Sequence, residues 1–235
     1  MKIRFAVAPG GRPFDAAELD ELLDSCESLG FDTVWLSDVP LGPIGDPLVS
    51  LTYAAARTAT LKLGANVVPL GRNPMLLARE LAQLDQLSRG RLLVSFVPGL
   101  NQAGEAEALG VRAGAPGRAG LMEEVIPLLR RWWAGERVTY RSERFAFTDV
   151  AVTPLPAQTP LEIWLGGHGP DALRRTGRLA DGWLTATVTP DEACAGRRAI
   201  HAAAADAGRT IDAEHFGISL PYARRGPAEL AVQGL

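Results

Sequence analysis

Leu61-Lys62-Leu63-Gly64-Ala65-Asn66-Val67-Val68, then Asn73-Pro74, then Leu77, Leu81 and Leu84, then Gly90 and Arg91-Leu92-Leu93-Val94-Ser95-Phe96-Val97: residues 61–97 spell one strand–helix–strand unit. The two flanking runs are short and mostly apolar, as strands are when both faces of a parallel sheet are covered. Between them the leucines recur at helical spacing. Asn73 can cap the helix start, and Pro74 stands where a missing N–H costs nothing. Gly90 ends the helix.

The same alternation runs outward in both directions. On the N-terminal side Ile3–Ala8 is strand-like, Asp15 to Leu29 carries Leu19, Leu22, Leu23, Cys26 and Leu29 on one helical face, Thr33–Leu36 is a strand, and Asp46-Pro47 opens a helix. On the C-terminal side a Gly-rich loop leads to a helix around Leu121–Trp133, where Pro127 predicts a kink. Val138–Tyr140 and Phe145–Phe147 flank Arg141-Ser142-Glu143 and predict a hairpin insertion at about residues 136–150. Leu161–Leu165 is a strand, Pro170–Leu179 a helix, Gly182–Leu184 a strand, Thr189-Pro190 the start of a helix reaching Ala207, and Phe216–Leu220 a strand.

Alternating strands and helices imply parallel pairing through right-handed crossovers, either in an open doubly wound sheet or in a barrel. The count reaches seven strands, whereas a full barrel has eight βα units. The expectation is one domain over residues 1–235, one βα unit short of a barrel, as a piece of a longer chain or as an incomplete barrel.

Composition narrows the function. The chain is 47% apolar and 22% charged with a formal net charge of −3, and no stretch concentrates Lys or Arg, so no nucleic-acid partner is expected. Lysine occurs only at Lys2 and Lys62, so an anion site would be built from Arg or backbone N–H groups. Cys26 and Cys194 lack metal-ligand spacing and read as buried thiols. No apolar run approaches the ~20 residues of a membrane span, and Met1–Pro9 is too short for a signal peptide. A cytoplasmic protein is expected.

Four segments carry a resemblance: Gly30-Phe31-Asp32-Thr33-Val34-Trp35-Leu36-Ser37-Asp38; Leu63–Pro69 with Arg72-Asn73-Pro74; Leu84-Asp85 with Ser88-Arg89-Gly90-Arg91-Leu92; and Trp164-Leu165-Gly166-Gly167-His168-Gly169-Pro170 with Leu179-Ala180-Asp181-Gly182-Trp183. In order and spacing they resemble the luciferase-like monooxygenase superfamily from Lys2 to Tyr222. Within it, Leu36–Pro43 and Ser95–Gly99 look most like the branch that uses coenzyme F420, a deazaflavin; FMN enzymes occur in the same superfamily. The resemblance implies an α/β TIM barrel of the bacterial-luciferase type, a homodimer, and an oxidoreductase that passes a hydride between F420 and a small organic substrate.

Gly166-Gly167-His168-Gly169-Pro170 follows a strand and opens a helix. Glycines let a ligand approach the backbone, and the first helical N–H groups attract an anion; the resemblance places the cofactor phosphate there. His168 becomes a cofactor contact and Arg174, one turn into the helix, a partner for an acidic tail. Arg12, Arg72 and Arg175 are weaker candidates for that tail. The resemblance also implies a non-proline cis peptide at Asn66-Val67 propping up the ring, and cofactor contacts at Gly99 and Asn101. Asp38, at the end of a strand, is a cofactor contact, a helix cap or the partner of a nearby Arg. Where sugar-phosphate dehydrogenases of the F420 branch carry a histidine and a glutamate, this chain has Val39 and Leu100, which argues against that substrate and leaves the catalytic acid/base unassigned.

There is no P-loop, no Gly-x-Ser-x-Gly elbow and no dinucleotide fingerprint after the first strand. His201 and His215 form no metal set with His168, and no metal is expected. The alternatives to an F420 oxidoreductase are an FMN-dependent monooxygenase, a flavin-binding protein without activity, and, more weakly, a lysine-dependent lyase or aldolase.

Overall fold

A computed structural model describes residues 3–11, 13–100, 102–111 and 117–221. Its parallel strands are β1 (Ala6–Val7), β2 (Thr33–Ser37), β3 (Lys62–Val67) and β4 (Leu92–Phe96), followed by β7 (Ile163–Leu165), β8 (Gly182–Ala186) and β9 (Phe216–Ser219). Between β4 and β7, β5 (Val138–Arg141) and β6 (Ala146–Val150) pair antiparallel as the expected hairpin. The helices are α1 (Ala16–Ser28), α2 (Pro47–Arg57), α3 (Pro74–Leu87), α4 (Glu105–Ala108), α5 (Arg118–Trp133), α6 (Pro170–Leu179) and α7 (Pro190–Asp206).

The strand order β1-β2-β3-β4-β7-β8-β9 never reverses. Every crossover therefore advances in one direction, and right-handed crossovers put all the helices on one face. That separates a barrel from a doubly wound sheet, whose order turns back on itself. Curvature is visible in one ion pair. In a flat sheet, six spacings of about 4.8 Å would hold the first and last strands roughly 29 Å apart. Arg4, just before β1, nevertheless meets Glu214, just before β9, at 2.9 Å. The fold is a parallel half-barrel with seven strands among the described residues.

Side chains alternate across the sheet. Val34, Leu36, Leu63, Ala65, Val67, Val94, Phe96, Ile163 and Leu165 face the helices and form the main core. The other face carries Trp35, Ser37, Gly64, Asn66, Ser95, Trp164 and Gly182, packed large against small. A Cβ on Gly64 would lie 2.2 Å from the Trp35 indole, and one on Gly182 would lie 2.5 Å from that of Trp164.

The helix starts follow the sequence. Asp46, Asn73 and Thr189 cap α2, α3 and α7 ahead of a proline, and Asp15 closes a capping box with Glu18 on α1. Helix α5 runs unbroken through Pro127. Three expectations need correction. Strand β1 is only two residues, because Ile3 and Phe5 stand exposed at an edge strand that pairs on one side. Cys194 is exposed on α7 while Cys26 is buried, since α7 turns Gly196, Ile200 and Ala204 inward instead. Four residues of the Gly-rich loop form α4.

Glu27 anchors the turn that feeds β3. Its Oε1 accepts from the N–H groups of Ala59, Thr60 and Leu61 and from the Thr60 hydroxyl. The Thr60 N–H leads these in holding its carboxyl below the ordinary value, against the effect of burial. A depressed folded pKa means stability that is full above pH 4.5, the group's ordinary pKa, and lost as pH falls through the folded value. Glu27→Gln is expected to cost about 1 kcal/mol at pH 7 and to flatten the acid limb, read from urea unfolding between pH 3 and 7.

Candidate functional site at the C-terminal mouth

Ser37, Asn66 and Ser95 lie side by side in register on β2, β3 and β4, near the strand ends and away from the helices. The Asn66 Nδ2 donates to Ser37 Oγ at 3.1 Å. Asn66 Oδ1 and Ser95 Oγ are buried without a hydrogen-bond partner. Buried polar atoms are rarely left so, because each costs about 1–3 kcal/mol of lost hydration. Two such atoms in adjacent register make a place where a polar ligand edge would be welcome. The strand sequences hold the signal for this row, a Ser or Asn near the end of each apolar run.

The Asn66–Val67 peptide is trans, contrary to expectation; the cis bonds among the described residues are Thr153–Pro154 and Thr159–Pro160. Regular pairing holds this strand end extended: the Asp38 N–H donates to Asn66 O at 2.8 Å and the Val97 N–H to Val67 O at 3.0 Å. Val67 faces the helices and is fully buried, so it presents no side chain to the mouth.

Asp38 is buried, and its Oδ2 accepts from the Val68 N–H at 3.2 Å and from Arg72 at 2.9 Å. Arg72 also meets Asp46 at 2.7 Å. Burial works against the Arg72 charge, but hydrogen bonds and attraction from the two aspartates outweigh it and raise its pKa. The alternative reading of Asp38 as an arginine partner is the one the geometry realises. Arg72 is then committed to the protein and not to a ligand.

The glycine turn lies across the sheet from there. The Gly166 N–H donates to Phe96 O at 3.2 Å, and Gly167, at φ +99°, offers its carbonyl to the Trp183 indole N–H at 2.7 Å. A Cβ on Gly166 would lie 3.1 Å from Val97 Cγ1, and one on Gly167 would lie 3.0 Å from Ala172 Cβ. Gly169 is the N-cap of the ten-residue α6 and supplies no side-chain cap. The first N–H groups of α6 are thus open at the mouth, as an anion site requires. His168 is exposed within the turn and adds to the effect of Thr189 in lowering the Glu192 pKa at the start of α7.

Arg174 pairs with Asp171 three residues before it on the exposed face of α6. Arg175 turns inward to Glu123 at 3.1 Å. Gly99, at φ +80°, is packed under Arg118, whose Nη1 would lie 2.8 Å from an added Cβ. Arg118 donates to Pro98 O at 2.8 Å and meets the buried Glu105 at 2.6 Å. This clamp on the loop after β4 was not legible in the sequence, where Arg118 stands 13 positions from Glu105 and 20 from Pro98. Asn101 and Arg12 lie outside the described residues. Lys62 stands exposed at the start of β3, the end opposite the mouth, and so does not serve the lyase reading; Lys2 lies outside the described residues.

A cleft of about 130 Å³ opens beside this row, lined by Pro9, Gly10, Gly11, Phe14, Leu36, Ser37, Val39, Ile44 and Gly45. No group of three His, Cys, Asp or Glu among the described residues could hold a metal ion. No described helix is long and apolar enough to cross a membrane.

The family model described as luciferase-like monooxygenase matches residues 1–233. The chain belongs to that family. This luciferase-like chain is 31% identical over 194 residues to an F420-dependent glucose-6-phosphate dehydrogenase of Microbacterium testaceum, covering 79% of the chain and 57% of the relative. It is 31% identical over 173 residues to the limonene 1,2-monooxygenase of Rhodococcus erythropolis, covering 72% and 44%. Among solved structures, the F420-dependent tetrahydromethanopterin reductase of Methanopyrus kandleri superposes with a TM-score of 0.77 at 23% identity, covering 94% of the chain and 65% of that protein. That likeness speaks to the fold. The luciferase-like chain spans little more than half the length of the curated relatives it matches first.

Proposed function

We propose that this protein is an oxidoreductase that binds coenzyme F420 at the C-terminal mouth of the half-barrel and acts on a small organic substrate. The observation that carries the reading is the Gly166–Gly169 turn, a glycine cradle ending in a helix start without a side-chain cap. The residues present fit such a cofactor. Backbone N–H groups at the start of α6 would hold its phosphate, with His168 at the rim, and the row Ser37–Asn66–Ser95, with two unpartnered buried oxygens, would meet a polar ring edge. When bound, F420 supplies two-electron hydride chemistry. The chain's own share is to grip the anion, to orient the ring through Asn66 and Ser95, and to keep water from that face with Trp164 and Leu184. Asp38 acts through the Arg72–Asp46 bridge, fixing the loop after β3. Four F420-dependent glucose-6-phosphate dehydrogenases among the relatives support this reading.

Fluorescence titration of the purified protein tests it. Saturable F420 binding tighter than FMN binding is expected. FMN binding with oxygen consumption would replace the reading by a monooxygenase, which the limonene relative favours. Flavin held without turnover of any substrate would make it a binding protein. Gly167→Ala puts a side chain at φ +99° and 3.0 Å from Ala172 Cβ; the cost of about 1–3 kcal/mol falls on the cradle. At least a tenfold weaker F420 affinity is expected, from the same titration. Homodimer formation and a cytoplasmic location belong to the same proposal. Exposed Val49 on α2 and Leu76 and Leu87 on α3 support self-association, which sedimentation would check.

A further inference from the structure

Alternation along β8 turns Trp183 toward the helices. There it lies 2% exposed in a small second core with Ile200, Ala204 and Ile211, separate from the main one. Its surroundings fix the indole. The Trp183 backbone N–H donates to His215 O at 2.9 Å. The Phe216 ring meets the indole edge-on, 6.4 Å between centroids. Gly196 of α7 leaves room for the far end of the ring, since a Cβ there would lie 2.9 Å from Trp183 Cη2. A buried indole N–H requires an acceptor, and this one finds the Gly167 carbonyl at 2.7 Å.

That bond sets the polarity of the Gly167–His168 peptide. The peptide is trans, so its C=O and N–H point in opposite directions. With the carbonyl drawn inward to the indole, the His168 N–H is turned outward, where His168 and Gly169 are exposed. No described acceptor takes it. It therefore joins the unpaired N–H groups at the start of α6. The reverse orientation would aim a carbonyl oxygen at an arriving anion. Glycine at 167, already at φ +99°, offers little resistance to that reversal, and the indole bond supplies what glycine lacks.

Resting on the oxidoreductase reading and its anion cradle, we infer that Trp183 is the positioning residue of that cradle: its indole N–H holds the Gly167–His168 peptide with the donor facing the phosphate. Trp183 touches no ligand itself. It ties the grip on the anion to the packing of β9 and α7 behind it.

Two deazaflavins separate positioning from packing: F420, and the same ring and ribityl chain without the phosphate and tail. Each is titrated by fluorescence into the whole wild-type protein and into Trp183→Phe, which keeps an aromatic ring and removes the donor. Trp183→Phe is expected to weaken F420 about three- to tenfold, the share of one hydrogen bond, and to bind the phosphate-free compound as wild type does. Thermal unfolding confirms that the variant is folded. A second measurement needs no variant and decides alone if Trp183→Phe does not fold. Of the five tryptophan indole N–H signals in the NMR spectrum, that of Trp183 is expected to move when inorganic phosphate is added, and that of Trp132 to stay. Equal weakening of both deazaflavins, unchanged F420 affinity in the folded variant, or an unmoved Trp183 signal overturns the inference. The same data separate it from the cofactor reading. If both proteins favour F420 over the phosphate-free compound to the same degree, the positioning role alone is lost. If wild type binds neither deazaflavin while phosphate still moves the Trp183 signal, the cofactor reading alone is lost.

Discussion

Gly64→Ala is expected to destabilise the protein by about 3 kcal/mol, a large loss for adding one methyl group. The new Cβ would sit 2.2, 2.5 and 2.6 Å from three atoms of the Trp35 indole. Trp35 is itself buried, so the ring has nowhere to retreat without moving β2 or β3. Overpacking of this kind costs about 1–3 kcal/mol, and more when the obstacle is rigid. The strain falls two residues below Asn66 on the same face, so the Ser37–Asn66 bond should loosen with it. Urea unfolding measures the loss. Trp35→Leu in the same chain should restore part of it, a coupling that two independent sites would not show. A Gly64→Ala protein as stable as wild type would mean that the face turned from the helices is not packed in this way.

Arg91→Ala is expected to cost about 4 kcal/mol, the largest effect of a single change anticipated here. From the start of the β4 segment the Arg91 guanidinium donates to Ser88 O at 2.7 Å, Leu61 O at 2.7 Å, Thr58 Oγ1 at 2.7 Å, Ala55 O at 2.9 Å and Thr58 O at 3.0 Å. It thereby closes the C-terminal end of α2, the turn into β3 and the end of α3 with one side chain. Burial lowers its pKa, but arginine remains charged throughout the working range. Each charged hydrogen bond contributes about 1.5–3 kcal/mol before the cost of burying the charge. Truncation would leave several half-buried carbonyls unpaired. Arg91→Lys should recover less than half, because an ammonium cannot reproduce the planar fork. Denaturant midpoints of the three proteins decide it; near-equal midpoints would show the network to be redundant.

Much of the fold was legible because its signals are local. Asp46-Pro47, Asn73-Pro74 and Thr189-Pro190 announce helix starts that the structure caps as read, and α6 spans the anticipated Pro170–Leu179. The hairpin follows from strand-like runs around a polar turn. What the sequence hid depends on distant pairs. Barrel curvature rests on partners such as Arg4 and Glu214, 210 positions apart, and no local pattern encodes that meeting. The site was half legible. Gly166–Gly169 stands out as a glycine run at a strand–helix junction, and the structure makes it an open helix start. Ser37 and Ser95 lie in the segments that carry the resemblance, yet neither stands out as a site residue, because one hydroxyl in an apolar run reads as noise until register aligns it with its neighbours. The pairing of Arg174 was near at hand in the sequence: Asp171, three residues earlier on the same helix face, is its partner in the structure. The trans Asn66–Val67 peptide shows the limit of resemblance, since the ladder around this strand end holds ordinary extended geometry.

Hydrogen exchange read by mass spectrometry, with and without saturating F420, tests the central claim most directly. The account predicts new protection concentrated in residues 166–173, where the glycine turn enters α6, with weaker protection at 64–68 and 93–97. Protection confined to other segments, or none under conditions where F420 demonstrably binds, would contradict it.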